Sequence, residues 1–336
     1  MVAQQQNTGK TLPAIDAIVI GRNEGQRLID CLSSLQAAGM RRLIYVDSGS
    51  TDGSTDAARA AGAEVIALDM TRPFTAARAR NAGLERIAED RDLPDFVHFV
   101  DGDCQLQPGW LQVAADFLAD HPQVVVVCGR RRERHPRASV YNRLCDLEWD
   151  TPVGEELACG GDALMRTQAL LAVGGFRDDL IAGEEPELCL RLRRAGGQIW
   201  RLDHEMVLHD AAMTRFSQWW RRARRAGHAF AEGAALHGAP PERHWVTETR
   251  RAILWGAALP LAILLALVLM PALGVLLLLA YPAQVLRIAA RHGLSRRESW
   301  EYAAFTVLGK FPEVLGVLGF WRNRLLGRQG RLIEYK

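Results

Sequence analysis

Two aspartates flanking one glycine, Asp101-Gly102-Asp103, follow directly on the apolar run Phe96-Val97-His98-Phe99-Val100. That is where a buried strand would emerge at a sheet edge. Mg2+ and Mn2+ prefer oxygen ligands, and a carboxylate pair of this kind can hold such an ion against substrate phosphates. The pattern is short and draws its weight from other residues. Asp47 closes the apolar Leu43-Ile44-Tyr45-Val46 and opens Ser48-Gly49-Ser50-Thr51-Asp52-Gly53-Ser54. Glu184-Glu185 stand just before Pro186, which suits the first turn of a helix, so both acids are predicted at a helix entrance where the macrodipole favours negative charge. His209 follows Met206-Val207-Leu208, and a neutral imidazole can complete a metal site otherwise made of oxygen. Structural roles stand beside these readings: helix-dipole stabilisation for the glutamates, an ordinary core position for His209.

The elements that must position these groups alternate in type. Strands are predicted over 14–20, 43–46, 64–68 and 96–100, and helices over 26–38, 55–61 and 75–88. This succession implies a mainly parallel sheet covered on both faces, whose ligands gather at the carboxyl ends of the strands. Asp47, Asp101 and Asp103 all fall at such ends. Asp52 or Ser54 would serve equally well as a cap for the helix that follows.

Composition narrows the class. The 336 residues are 49% hydrophobic with a net charge of +2, too balanced to suggest a nucleic-acid partner. The six cysteines include no C-x-x-C pair, so neither a zinc site nor a disulfide framework is indicated, and a reducing compartment is the simplest setting. Met1 to Lys10 is polar and lacks the apolar core of a signal peptide.

Residues 252–286 are almost wholly apolar, broken by Pro260, Pro271, Gly274 and Pro282. One straight helix of that length would rise about 50 Å against a hydrocarbon core of roughly 30 Å, so a transmembrane hairpin turning near Met270 to Gly274 fits better. A buried core hairpin is the alternative. Arginines flank both sides, Arg243, Arg250 and Arg251 before and Arg287, Arg291, Arg296 and Arg297 after, which predicts both ends in the cytoplasm. A chain cut after Arg251 is then expected to be a largely soluble domain. Beyond the hairpin, Ala304, Leu308, Phe311, Leu315 and Leu318 form an apolar stripe interrupted at Pro312; this amphipathic helix would lie in the membrane interface or pack on the preceding domain. The run Arg130-Arg131-Arg132-Glu133-Arg134 reads as a solvated loop.

Taken in order, Ile18-Val19-Ile20-Gly21-Arg22-Asn23-Glu24, Val46-Asp47-Ser48-Gly49-Ser50-Thr51-Asp52-Gly53-Ser54, Ala79-Arg80-Asn81-Ala82-Gly83 and Val100-Asp101-Gly102-Asp103 resemble the motifs of family 2 glycosyltransferases, from about Ile15 to about Gly227. The resemblance implies an α/β GT-A nucleotide-sugar-binding fold, a sugar-nucleotide donor held near Gly21, Glu24, Asp47, Arg80 and Asp101, and Mn2+ or Mg2+ on Asp103 with Asp101 and His209. It also implies a general base in the acidic motif. The family's usual aspartate there is replaced by Glu185, one methylene longer. Gly160-Gly161-Asp162 and Arg166 resemble the acceptor-side segment, with Glu184 beside it. Gln218-Trp219-Trp220-Arg221-Arg222-Ala223-Arg224-Arg225 resembles an aromatic, basic segment of processive members without its full Gln-x-x-Arg-Trp order; its arginines would meet donor phosphates or anionic lipid headgroups.

The expected organisation is a flexible segment at 1–13, a GT-A domain at 14–230, a juxtamembrane linker at 231–251, the transmembrane hairpin at 252–286 and a cytoplasmic amphipathic tail at 287–336. The expected activity is inverting transfer to a lipid-linked or saccharide acceptor at the cytoplasmic membrane, with membrane lipids as further partners. A sugar-nucleotide pyrophosphorylase would need a glycine-rich phosphate loop that Gly21-Arg22-Asn23-Glu24 does not supply. A non-catalytic binding protein would be expected to have lost the carboxylates.

Overall fold

The computed structural model describes residues 13–327, so all but the last residue of the segment expected to be flexible lies outside the described residues. Nine strands form one sheet among the described residues: β1 (Ile15–Gly21), β2 (Arg42–Asp47), β3 (Glu64–Ala67), β4 (Phe96–Asp101), β5 (Cys104–Leu106), β6 (Val124–Glu133), β7 (Gly154–Glu156), β8 (Ala163–Arg166) and β9 (Gln198–His209). Their order is β3-β2-β1-β4-β8-β6-β9-β5, with β7 on β9.

From β3 to β4 the pairing is parallel, as the alternation of strands and helices requires. Beyond β4 the sheet is mixed: β8 runs antiparallel to β4 and β6, β9 parallel to β6, and β5 antiparallel to β9. β4 and β5 are separated only by Gly102-Asp103, so the chain leaves one sheet position and joins another at the motif itself. The helix Ala76–Ala88 starts at Thr75, whose Oγ1 accepts from the Arg78 N–H at 3.1 Å, and Arg80 lies on its buried face. Asp52 accepts from both the N–H and the hydroxyl of Ser54, organising the turn before the helix Ser54–Ala60 rather than capping it through the cap position, which is Gly53.

The basic run 130–134 is not a solvated loop. It ends β6, where Arg131 and Glu133 point inward and Glu133 is 3% exposed. Pairing of Arg130 to Glu133 with β9 overrides what charge alone suggests. All six cysteines are free and buried.

Among the described residues, three helices are long and apolar enough to cross a membrane: Val246–Leu269, Pro271–His292 and Arg297–Leu325. The first two meet at Met270, where the sequence predicts the turn, and Gly274 lets the second approach the backbone of Leu267. Their leucines face outward, with Val268 79% exposed and Leu261 65%. Pro260, which has no N–H to give, follows a π-helical turn at Leu254–Ala258.

The third helix differs, because it lies on the α/β domain. It crosses the helix Phe216–His237 at Gly227 and Gly316, where a Cβ on either glycine would overlap backbone of the other helix. Arg143 donates to Glu301 at 2.9 Å, and Trp219 packs edge-on against Phe305. The buried face consists of Ala303, Val307, Val314, Val317 and Phe320, whereas Leu308, Leu315 and Leu318 of the anticipated stripe are exposed. The helix is therefore apolar on two faces, one against protein and one outward. A chain cut after Arg251, expected to be a largely soluble domain, would lose this packed helix and expose the face it covers.

Candidate active site

The ends of β1, β4 and β6 and the entrance of the helix Glu184–Arg194 surround a cavity of about 1060 Å³. Gly21, Glu24, Arg80, Asp101, Asp103, Gly161, Glu184, Glu185 and His209 all line it, so most of the residues singled out by sequence converge. Asp47 and Asp162 do not line it.

Asp103 and His209 form the innermost group. β9 runs between β5 and β6, so His209 is paired with Cys104 on one side and Glu133 on the other. His209 Nε2 stands 3.4 Å from Asp103 Oδ2, and both residues are buried. Burial, and then the nearby Arg131 guanidinium, hold the imidazole below its ordinary pKa, so the ring is neutral. Cys104 completes a cluster whose ligand atoms lie within 4.8 Å of one another; burial raises the pKa of its thiol, and Mg2+ and Mn2+ favour the nitrogen and the carboxylate over so soft a donor.

Asp101 is engaged elsewhere. Arg80 donates to its Oδ1 at 3.0 Å and Arg131 to its Oδ2 at 2.8 Å. Burial alone would raise its pKa, but the two guanidinium groups outweigh it and hold the carboxyl well below the usual range. Asp101 is thus a brace between two arginines rather than a member of the Asp103 and His209 group. Arg80 in turn reaches Glu184 at 2.9 Å and Glu185 at 3.0 Å and is 2% exposed. It ties three carboxylates together on the cavity wall.

Glu185 is held up to about 7 by burial and by the charge of Glu184, with Arg80 opposing. Its side chain remains 15% exposed at the cavity edge, so it is reachable. A carboxylate titrating near neutrality at an accessible wall has the properties of a general base.

Three of the residues singled out by sequence stand away from the cavity wall. Asp162 is fully buried: its Oδ1 accepts from the Asp101 N–H at 2.9 Å and its Oδ2 pairs with Arg131 at 3.2 Å, so it supports Asp101 from behind instead of meeting an acceptor. Asp47 accepts from Tyr45 O–H at 2.9 Å and from the N–H groups of Gly49 and Ser50, which organises the loop after β2. Arg166 donates to the carbonyls of Leu118, His121 and Val124, away from the cavity. Arg131, Glu133 and Trp149 were missed by sequence reasoning. Trp149 sits edge-on to His209 at 4.7 Å with Arg131 over its ring at 5.0 Å, and no local motif marks it.

Gly161 is where the network meets backbone. A Cβ there would lie 2.8 Å from Arg80 Nη2, 2.9 Å from Asp101 Oδ2 and 3.2 Å from Glu185 Oε1, all pinned by ion pairs. Gly161→Ala is expected to displace the Arg80 cluster and reduce turnover by roughly 100-fold, the scale of an ångström-sized misplacement. Wild-type turnover in the variant would show that the cluster yields freely.

The cavity also has an aromatic lining. Trp219, Phe230, Trp245, Tyr302 and Phe305 line it, with Glu313 from the same long helix. These side chains come from the helix Phe216–His237, from Trp245 at the start of Val246–Leu269 and from Arg297–Leu325, a contribution that spacing in the tail did not reveal.

Residues 16–156 match the family model described as "Glycosyl transferase family 2". The chain is 25% identical over 234 residues to a pre-mycofactocin glycosyltransferase of Mycobacterium tuberculosis (strain CDC 1551 / Oshkosh), covering 66% of this chain and 48% of that protein. It is 27% identical over 180 residues to the succinoglycan biosynthesis protein ExoA of Rhizobium meliloti (strain 1021), covering 50% of this chain and 53% of ExoA. The chain spans about half the length of these curated relatives. Among solved structures, the mannosyltransferase PcManGT from Pyrobaculum calidifontis, in complex with GDP-Man and Mn2+, superposes with a TM-score of 0.62 at 19% identity, covering 92% of this chain and 88% of that one. The likeness is one of fold, and it extends beyond the matched segment into the C-terminal helices. The segment that carries Asp101-Gly102-Asp103 is a family 2 glycosyltransferase domain with the GT-A fold.

Proposed function

We propose that this chain is an inverting glycosyltransferase that moves a sugar from a nucleotide-diphosphate-sugar donor to the hydroxyl of a lipid-linked or saccharide acceptor at the cytoplasmic face of a membrane. The observation that carries the reading is one cavity lined by Asp103, His209 and Glu185 together with aromatic side chains, in a chain that also carries two outward-facing apolar helices.

The Asp103 and His209 pair fits a divalent cation on chemical grounds. In either tautomer of a neutral ring, one nitrogen lone pair faces a carboxylate, Asp103 at 3.4 Å or Glu133 at 3.7 Å. A cation at the Asp103 side removes that conflict. Mn2+ or Mg2+ held by Asp103 and His209 would supply stabilisation of the charge that develops on the departing nucleotide diphosphate.

The remaining work falls to the chain. Glu185 takes the proton of the acceptor hydroxyl as that oxygen attacks the anomeric carbon and the bond from that carbon to the diphosphate oxygen breaks. One displacement inverts the configuration. Arg80 holds Glu185 and Asp101 in mutual register. Gly21 and Glu24 would meet the donor, and Glu184 and Gly161 the acceptor; all four line the cavity.

The membrane reading rests on outward leucines. Val246–Leu269 and Pro271–His292 form a hairpin that crosses twice, while Arg297–Leu325 stays on the domain with Leu308, Leu315 and Leu318 toward lipid. Reporter fusions at Arg251 and at Arg297 are expected to report the same, cytoplasmic side; opposite sides would overturn the hairpin.

A thermal-shift screen of the detergent-solubilised chain with nucleotide sugars and Mn2+ tests the donor class. A ligand at about 100 times its Kd adds about 2.7 kcal/mol to apparent stability. A panel of UDP-, GDP- and dTDP-sugars that produces no shift would overturn the transferase reading.

A further inference from the structure

The ring of His209 has two nitrogens in different surroundings. Nε2 faces Asp103, whereas Nδ1 has no hydrogen-bond partner although the residue is 5% exposed. An orphaned buried ring nitrogen is costly unless something nearby answers it. On its side stands Glu133, whose Oε2 lies 3.7 Å away, a few tenths of an ångström beyond hydrogen-bond distance.

Glu133 is held for that purpose by bonds that leave it room. Its Oε1 accepts from Asn142 Nδ2 at 3.0 Å and from the His135 N–H at 3.0 Å. Its Oε2 accepts only the Ala211 N–H, at 2.9 Å, among the hydrogen bonds of the described residues. A carboxylate oxygen takes two donors, so one place on Oε2 remains on the side facing His209. The parallel register of β6 and β9 makes Glu133 and His209 cross-strand partners, so their closeness is set by backbone pairing and not by side-chain chance.

We infer that Glu133 is a positioning residue for the metal site: its Oε2 accepts the Nδ1 proton of His209, which turns the Nε2 lone pair toward Asp103 and the ion. The inference rests on the proposed role of Asp103 and His209 as ligands. A ligating imidazole whose other nitrogen donates to a carboxylate is fixed in orientation and made more basic, and loss of such a partner weakens metal binding by about 10- to 100-fold. Glu133 also anchors the chain around Ala211 and His135, so a merely structural role must be separated from this one.

Mn2+ binding to the full, detergent-solubilised chain, followed by loss of the free aqueous Mn2+ electron paramagnetic resonance signal, makes the separation. Wild type is compared with His209→Ala, Glu133→Gln and Asn142→Ala, with the thermal midpoint of each recorded. Asn142→Ala removes a partner of Oε1 and the bond from the Met213 N–H, but leaves Oε2 facing His209. The expected result is an Mn2+ dissociation constant raised about 10- to 100-fold in Glu133→Gln and at least as much in His209→Ala, with Asn142→Ala binding like wild type. Wild-type affinity in Glu133→Gln beside weakened His209→Ala overturns the positioning role and leaves the metal site standing. Equal weakening in Glu133→Gln and Asn142→Ala assigns Glu133 to the loop alone and overturns it too. Unchanged binding in His209→Ala, or no Mn2+ binding by wild type, overturns the ligand assignment beneath it.

Discussion

Asp103→Ala is expected to lower transfer by on the order of 1000-fold or more in saturating Mn2+, since stabilisation of a leaving diphosphate by a metal is worth several kcal/mol and each 1.36 kcal/mol is tenfold in rate. The fold should survive. Asp103 lies beyond the last residue of β4, and its removal leaves His209 with one carboxylate neighbour instead of two. The strand pairing around it is backbone pairing, including the Asp210 N–H to the Asp103 carbonyl at 3.2 Å, which alanine retains. The informative comparison is with Asp101→Ala. If the two aspartates were equivalent ligands, both variants would lose Mn2+ affinity alike. The geometry separates them: Asp101 is gripped by Arg80 and Arg131, so its loss should release the Arg80 cluster and affect turnover with less effect on Mn2+ binding. Wild-type turnover of Asp103→Ala in Mn2+ would end the metal role.

The order of strands and helices as far as β4 was legible because each strand there is an apolar run of ordinary length and each helix has its own periodicity. The predicted helix over 75–88 starts one residue late, at Ala76, because Thr75 is its cap. Past β4 the signal fails for a physical reason. β5 has three residues and β7 three, too short for any period, and both owe their existence to pairing with β9. The basic run at 130–134 misleads in the same way. Four arginines read as solvated surface, but a guanidinium is readily buried when acids wait for it, and Arg131 meets Asp101 and Asp162.

The site itself divides by the same rule. Asp103, Glu185 and His209 stand at strand or helix ends that sequence could locate, and they do line one cavity. Asp162 lay beside a glycine pair and was read as substrate-facing, but only tertiary packing could reveal its burial under Arg131. In the tail, the stripe of Leu308, Leu315 and Leu318 was real. Its side was not decidable, because Val307, Val314 and Val317 supply a second apolar face, and it is the smaller side chains, with Gly316, that let the helix come close to Gly227. Apolar periodicity says that a face is buried from water and does not say whether protein or lipid covers it.

Glu185→Gln retains the shape of the side chain and loses the ability to accept a proton, so turnover should fall by roughly two to four orders of magnitude while donor binding persists. The pH dependence carries a sharper test. Burial and the Glu184 charge raise the Glu185 pKa to about 7 against the pull of Arg80. A base works only when unprotonated, so activity should fall as pH drops through about 7 and level off above it. Glu184→Gln removes the like charge next to it. Without that charge the protonated form of Glu185 is less favoured, and the acidic limb should move to lower pH while the plateau persists. Arg80→Met gives the opposite sign, since loss of the cation raises the pKa and moves the limb upward, with a further loss of turnover from the freed carboxylates. The order of the limbs across Glu184→Gln, wild type and Arg80→Met therefore identifies the titrating group by its neighbours. A dead Glu184→Gln beside an active Glu185→Gln would transfer the base to the other glutamate, and a limb unmoved in both neighbour variants would remove it from this acidic pair.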